Sequence, residues 1–339
     1  MLSRARRGLH MRVLITGATG FIGRHLIPVL EAQGHELTLG LRNLDTAARL
    51  PKGEAGSQQR RVVVGEIDEH TDWREALQEA NAVVHLAARA HVLDEGSGEE
   101  AALTRINARG TRRLVDQAVD AGVERFILMS SIGAVTTRSD VCVTLHTPCT
   151  PDTPYGQSKR SAECALIERA TGSHMGWTIL RPTLVYGPGN PGNMRRLIAL
   201  VKRGLPLPLG AIRNRRSFTF VRNLTDLIEV VLSHPNARDA TFLVADGDDL
   251  STPELVDKIA LNVGVRTPLI SVPLPLIRGI AQASDAWTAA TGAAVPFGTP
   301  TLRRLESSLY VDIEPLRTKL EWSPPFSVDE GLRCMLTPQ

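Results

Sequence analysis

Short unbroken apolar runs alternate along this chain with amphipathic stretches of helical period. Val13, Leu14 and Ile15 form such a run, which predicts a strand buried on both faces. Phe21, Ile22, Leu26, Ile27, Val29 and Leu30 then recur at helical spacing until Gly34 stops the pattern. The same reading places strands over 36–41, 61–65, 82–86, 125–129 and 177–180. Between them it expects helices over 73–79 and 99–121, and one that starts near 155 and runs to 170. A helix over 194–202, a strand near 218–221, a helix over 224–232 and a strand over 241–245 follow. The last hundred residues read as mainly helical. Strands and helices that alternate at this spacing predict an α/β chain, a doubly wound parallel sheet of Rossmann type.

The glycine/proline knot over 186–193 marks an expected domain boundary. Residues 11–185 then form the dinucleotide-type domain, with 217–246 returning to it. Residues 186–216 and 247–339 form a smaller, mainly helical substrate domain. The basic leader 1–10 has no apolar stretch and is expected to be disordered, with Met11 as a second or truer start. In the segment 268–297, Pro273, Pro275, Arg278, Asp285 and Pro296 break what would otherwise be the longest apolar run. It reads as a helical pair with no transmembrane character, able to carry a membrane-surface or dimer role.

Charge and composition narrow the classes. With 39 basic against 36 acidic residues, the 339-residue chain has no whole-molecule field for nucleic acid. Cys142, Cys149, Cys164 and Cys334 show no paired spacing, so free thiols in a reducing cytoplasm are expected. No His-Glu-x-x-His or Cys/His cluster suggests a metal.

The chemistry gathers where strands end. Gly17 permits a tight turn, Gly20 lets backbone N–H groups approach a pyrophosphate, and Gly23 lets the helix pack closely. Arg42, Glu66, His85 and Ser131 fall at the ends of later strands, where ligands bind on such sheets. Tyr155 and Lys159 are four apart, on one face of a helix. With three tyrosines and five lysines in the chain, chance supplies roughly 0.04 such pairs. An ammonium there is expected to lower the phenol's pKa and make acid–base work feasible. Ser131 can hold the reacting oxygen.

Thr-Gly-Ala-Thr-Gly-Phe-Ile-Gly, His85-Leu-Ala-Ala, Asn107-Ala-Arg-Gly-Thr, Ser130-Ser131 and Tyr155-Gly-Gln-Ser-Lys159 together resemble the extended short-chain dehydrogenase/reductases. Arg181-Pro-x-x-Val-Tyr-Gly-Pro-Gly and Leu320-Glu-Trp-Ser-Pro are similar to that family's later landmarks. The resemblance implies a Rossmann domain for NAD(P) and a carboxyl-terminal domain for a nucleotide sugar, with a homodimer allowed. It puts Ser131, Tyr155 and Lys159 on catalytic positions. Cofactor contacts are implied at Gly17, Gly20, Phe21, Ile22, Arg42, Glu66, Ile67, Leu86, Ala87, Ala88, Asn107, Tyr155 and Lys159. Substrate contacts are implied at Ser131, Tyr155, Asn193, Arg213 and Arg216. Glu66 stands where the family usually has Asp, and Thr136 where it usually has Tyr.

Residues 204–216 most resemble bacterial UDP-sugar 4-ketoreductases of polysaccharide (O-antigen) clusters. The expected reaction is reduction of the C4 ketone of a UDP-2-acetamido-2,6-dideoxy-4-keto-hexose. NADP(H) is favoured over NAD(H), because Leu39-Gly-Leu-Arg42-Asn43 has no acid before Arg42 and a guanidinium suits a 2′-phosphate. A UDP-hexose 4-epimerase is the alternative, and a non-enzymatic dinucleotide sensor a weaker one. A dehydratase is disfavoured, because Ile132-Gly133 stand where its Asp-Glu pair would be.

Overall fold

The computed structural model describes residues 10–51, 59–90, 97–291 and 298–337. All but His10 of the expected leader lies outside them. The first half is built from β1 (Arg12–Thr16), α1 (Phe21–Ala32), β2 (Glu36–Leu41), β3 (Gln59–Val63), α2 (Arg74–Leu77) and β4 (Ala82–His85). Then come α3 (Ser97–Leu103), a π turn (Thr104–Arg109), α4 (Gly110–Asp120), β5 (Arg125–Met129), α5 (Pro154–Ala170) and β6 (Gly176–Pro182). Beyond these lie β7 (Leu184–Tyr186), α6 (Asn193–Val201), β8 (Arg216–Phe220), α7 (Val221–Ser233), β9 (Ala240–Val244) and β10 (Asp249–Leu250). The chain ends with α8 (Thr252–Val263), α9 (Leu274–Thr291), α10 (Thr299–Glu306), α11 (Glu314–Leu320) and α12 (Val328–Leu336).

Seven parallel strands form one sheet in the order β3-β2-β1-β4-β5-β6-β9. The order reverses between β1 and β4, which opens a crevice at their carboxyl ends. Alternation along β1 explains the layers. Val13 and Ile15 join the core under α1 and α7, while Leu14 joins Trp73, α4 and α5 on the other face.

Three elements depart from the sequence expectation. The helix expected over 73–79 is only four residues long, because Glu79 takes a positive φ of 60° that ends it. The helix over 99–121 contains the π turn, which rotates Asn107 inward. The strand near 218–221 leaves the main sheet and pairs with β7 and β10 in a second, three-stranded sheet. Only α7 and β9 of 217–246 return to the main sheet's layers. A separate core of Tyr186, Phe218, Phe220, Leu255, Ile259 and Leu332 holds the second unit. Phe21 and Ile22 of α1 pack against it, so the glycine turn lies at the junction of the two units.

Candidate active site

The glycine turn is shaped by close approach. Gly17 has φ +72°, and a Cβ on it would stand 2.7 Å from the Ala87 backbone nitrogen. A Cβ on Gly23 would stand 2.5 Å from the Gly17 carbonyl oxygen. Gly20 is the extended N-cap of α1, with no side-chain cap and no acidic residue in the first helical turn. An uncapped helix start facing a bare backbone suits an anionic diphosphate, so the residues present fit a dinucleotide. Leu86 and Ala87 close the other side: the Leu86 N–H donates to the Thr16 carbonyl at 3.2 Å, and the Ala87 N–H to Thr16 Oγ1 at 3.2 Å. Ala88 follows them.

A hydrogen-bond relay runs behind this turn. Thr16 Oγ1 is 2.6 Å from His85 Nδ1, and His85 Nε2 is 2.9 Å from Thr111 Oγ1. Thr111 donates its proton to the Asn107 carbonyl at 2.6 Å, so its oxygen must accept from Nε2–H. Burial keeps the imidazole neutral, so Nδ1 accepts from Thr16. Burial, with Lys159 adding to it, pulls its pKa down to about 3. Asn107 receives the Arg89 N–H at 2.8 Å and donates to the Arg89 carbonyl and to Ser158 Oγ, each at 3.0 Å. The π turn thus ties the segment after β4 to α5.

Helix α5 presents Tyr155 and Lys159. Thr153 caps it by accepting from the Gly156 N–H at 3.1 Å. Gly156 lies so close to the Gly133 carbonyl that a Cβ has no room. That contact seats α5 on the turn after β5. A methyl on Gly133 would stand 3.4 Å from Ser131 Oγ and 3.9 Å from the Tyr155 ring, so the three groups meet. Burial lifts the Tyr155 phenol above its ordinary value, and a hydrogen bond with Ser131 opposes it. The lowered phenol expected from the sequence is not found here, because desolvation outweighs it. Lys159 is 3% exposed, and burial brings its ammonium down to about 8 against the opposing pull of Glu163.

Glu163 lies fully buried one helical turn beyond. Arg181 grips it with two bonds of 2.8 and 2.7 Å, Ser130 donates at 2.5 Å and Arg160 at 3.0 Å. Burial raises its carboxyl and these partners more than offset that, so its pKa is lowered. Sequence reading passed over this residue, although Lys159-x-x-x-Glu163 put both on one helical face.

The remaining predicted positions spread outward. Arg42 is exposed at the end of β2, followed by Asn43, whose side chain caps the turn Leu44–Arg49. Glu66 lies 3.6 Å from Arg105, and Ile67 packs where Gly110 leaves room. Arg216 walls a cavity of about 1280 Å³, together with Arg138, Arg278, Arg303 and Arg304. Its guanidinium donates to the Arg304 carbonyl at 2.7 Å and to Ser307 Oγ at 3.2 Å, and burial lowers its pKa. Asp152 and Thr153 also line the cavity, which brings it within two residues of Tyr155. Arg213, expected beside Arg216, is exposed off this cavity and donates to its own loop's Gly210 carbonyl at 3.2 Å. Arg215 turns to Asp249 at 2.9 Å and covers the Tyr310 ring. The side chain of Asn193 lies outside the described residues. Arg278, Arg303 and Arg304 were missed: they come from helices whose placement no local pattern gives, and the Arg303-Arg304 pair was the available signal. Among the described residues no cluster of His, Cys, Asp and Glu could hold a metal ion, and no helix is long and apolar enough to cross a membrane.

Comparison with known proteins fits this geometry. A UDP-glucose 4-epimerase of Vibrio cholerae is 35% identical over 96% of this chain and 95% of its own length. An Escherichia coli O157:H7 protein named N-acetyl-alpha-D-glucosaminyl-diphospho-ditrans,octacis-undecaprenol 4-epimerase is 24% identical over 94% and 92%. The solved structure of MoeE5 in complex with UDP-glucuronic acid and NAD superposes with a TM-score of 0.74 at 25% identity, covering 96% of this chain and 97% of that one. The model of the NAD dependent epimerase/dehydratase family matches residues 13–245. From β1 through β9, glycine turn, relay and Tyr155–Lys159 helix included, this chain belongs to the NAD dependent epimerase/dehydratase family.

Proposed function

We propose that this chain reduces the C4 ketone of a UDP-linked 2-acetamido-2,6-dideoxy-4-keto-hexose with NADPH, in the making of cell-surface polysaccharide sugars. The observation that carries this reading is Arg42, exposed at the end of β2 and preceded there by Leu39, Gly40 and Leu41, none of them an acid. An acid there would bind a ribose 2′-hydroxyl and repel a 2′-phosphate, whereas a guanidinium attracts the phosphate. A dinucleotide held by the Gly17–Gly23 turn would supply the hydride that C4 takes up. Tyr155 gives its phenolic proton to O4, and Ser131 holds that oxygen by hydrogen bonding. Lys159 keeps a positive charge beneath the phenol and offsets the negative charge that proton loss leaves there. Hydride and proton together convert the ketone to an alcohol. Arg216 and the neighbouring arginines suit the diphosphate, as forked donors do.

A second reading, a UDP-sugar 4-epimerase, is favoured by the name of the 35% identical Vibrio relative. An epimerase returns its hydride and consumes no cofactor, so one experiment separates the two. The protein is incubated with the 4-keto sugar and NADPH, and cofactor loss and product are followed together. Stoichiometric NADPH loss, with a much weaker rate for NADH that Arg42→Ala equalises, is expected. Interconversion of UDP-N-acetylglucosamine and its galacto isomer without added cofactor, and no NADPH loss on the ketone, would overturn the reductase.

A further inference from the structure

Helix α9 has three faces, and among the described residues two of them are covered. Ile277 and Ala281 are buried against Leu302 of α10. Arg278 and Gln282 wall the arginine-lined cavity. At 100° per residue, Leu276, Ile280, Ala283, Trp287 and Ala290 fall on a third stripe, well away from both. Every one of the five is exposed, Leu276 at 62%, Ile280 at 59% and Trp287 at 61%. Single exposed apolar residues are ordinary, but a stripe of them along one helix marks a surface that meets something.

The segment that precedes α9 adds further exposed apolar residues. Residues 207–210 and 268–270 run side by side, joined by bonds from Leu207 N–H to the Pro268 carbonyl, Ile270 N–H to Leu207 and Gly210 N–H to Ile270. Along this ladder Leu205 and Ile270 are 55% and 50% exposed. Lys202, Arg203 and Arg266 stand exposed at its start, where Gly204 approaches the Arg266 carbonyl. Charge sign separates these stretches from the rest of the chain. No Asp or Glu occurs between Glu168 and Asp226, or between Asp257 and Asp285. In a chain almost neutral overall, Lys202, Arg203 and Arg266 thus stand exposed in stretches that contribute cations and no carboxylates.

We propose that this face is a docking surface for an anionic lipid bilayer, on which α9 lies in the plane of the interface. Apolar side chains that enter the headgroup boundary, a tryptophan among them, and nearby cations that attract acidic headgroups are what such a surface requires. A second copy of the chain fits less well. Helix partners are selected by charges that flank the apolar seam, and here Gly279 and Ala286 stand exposed on one flank where those charges would be. Because Arg278 and Gln282 lie on the far side of the same helix, docking sets the cavity about one helix diameter, ~10 Å, from the bilayer surface.

The test uses the full chain with phosphatidylglycerol vesicles and with neutral phosphatidylcholine vesicles. Co-flotation with the anionic vesicles is expected, weakening as salt rises. Trp73 and Trp322 are buried and Trp177 is half-buried against the main sheet's core, so the part of the blue shift of tryptophan emission and of its quenching by brominated lipid that is lost in Trp287→Phe reports Trp287. Ile280→Glu with Trp287→Glu should cut vesicle partitioning at least about tenfold, with the thermal midpoint unchanged. Failure of the unaltered protein to float, or Trp287 unquenched by brominated lipid, overturns the proposal. So does a dimer in sedimentation velocity that Ile280→Glu splits, because the stripe would then be covered by a second copy.

Discussion

Replacement of Glu163 by Leu separates the two things its carboxylate does. The side chain is fully buried and Arg181 is 6% exposed, so the change leaves a guanidinium out of water without its two charge-assisted bonds. Stranding one partner of a buried pair costs about 3–5 kcal/mol, and Ser130 and Arg160 lose their acceptor as well. A fall in thermal midpoint on the order of 10 °C should follow. The second effect is electrostatic. Burial lowers Lys159 to about 8 while Glu163 holds it up, so without the carboxylate the ammonium loses its proton at lower pH. If that charge sustains Tyr155, the alkaline limb of the pH–rate profile moves to lower pH. Adding Arg181→Leu removes the stranded guanidinium and should restore much of the stability while the limb stays shifted. Urea unfolding and kcat against pH, measured on both variants, check each part. A stability loss under about 1 kcal/mol would refute the burial argument. An unmoved or raised alkaline limb would refute the link to Lys159.

Three further outcomes follow from the site. Tyr155→Phe should lower kcat at least ~10²-fold with an unchanged thermal midpoint, as loss of a positioned proton donor does; near-normal turnover in stopped-flow assays would remove the phenol from the reaction. Gly156→Ala puts a methyl into the Gly133 carbonyl, so α5 must back away from Ser131; about 1–3 kcal/mol of stability and most of kcat should be lost, checked by calorimetry and kinetics together. Arg216→Ala should raise KM for the sugar nucleotide several-fold more than KM for the cofactor; equal changes in both would move the diphosphate away from the arginine cavity.

The main sheet was legible because its strands are unbroken apolar runs that glycine turns punctuate. Gly17 and Gly23 were readable for the same reason, since a close backbone approach excludes every other residue. Tyr155 and Lys159 sit on one helix, and their spacing alone brings them together. The π turn at Asn107 was hidden, because one extra residue in a helix leaves hydrophobic period almost unchanged. Glu163 was hidden for another reason: a carboxylate on a helix reads as a solvated face until Arg181, from β6, is seen to cover it. Arg138, Arg278, Arg303 and Arg304 meet Arg216 only after the second unit has folded. The fall in the Tyr155 pKa was expected from a pair of residues, whereas the rise that is found depends on how much water the whole site excludes.

The relay from Ala87 through Thr16, His85 and Thr111 to Asn107 has a direction, and every proton in it is committed. An ordinary imidazole beside Lys159 would take up a second positive charge as the pH falls through about 6.5. Here neither ring nitrogen is free and the ring resists protonation down to about pH 3. The relay therefore keeps a neutral ring at Lys159's side: as the pH falls, no second positive charge develops there to compete with the ammonium, and the titrating groups of the site stay Tyr155 and Lys159.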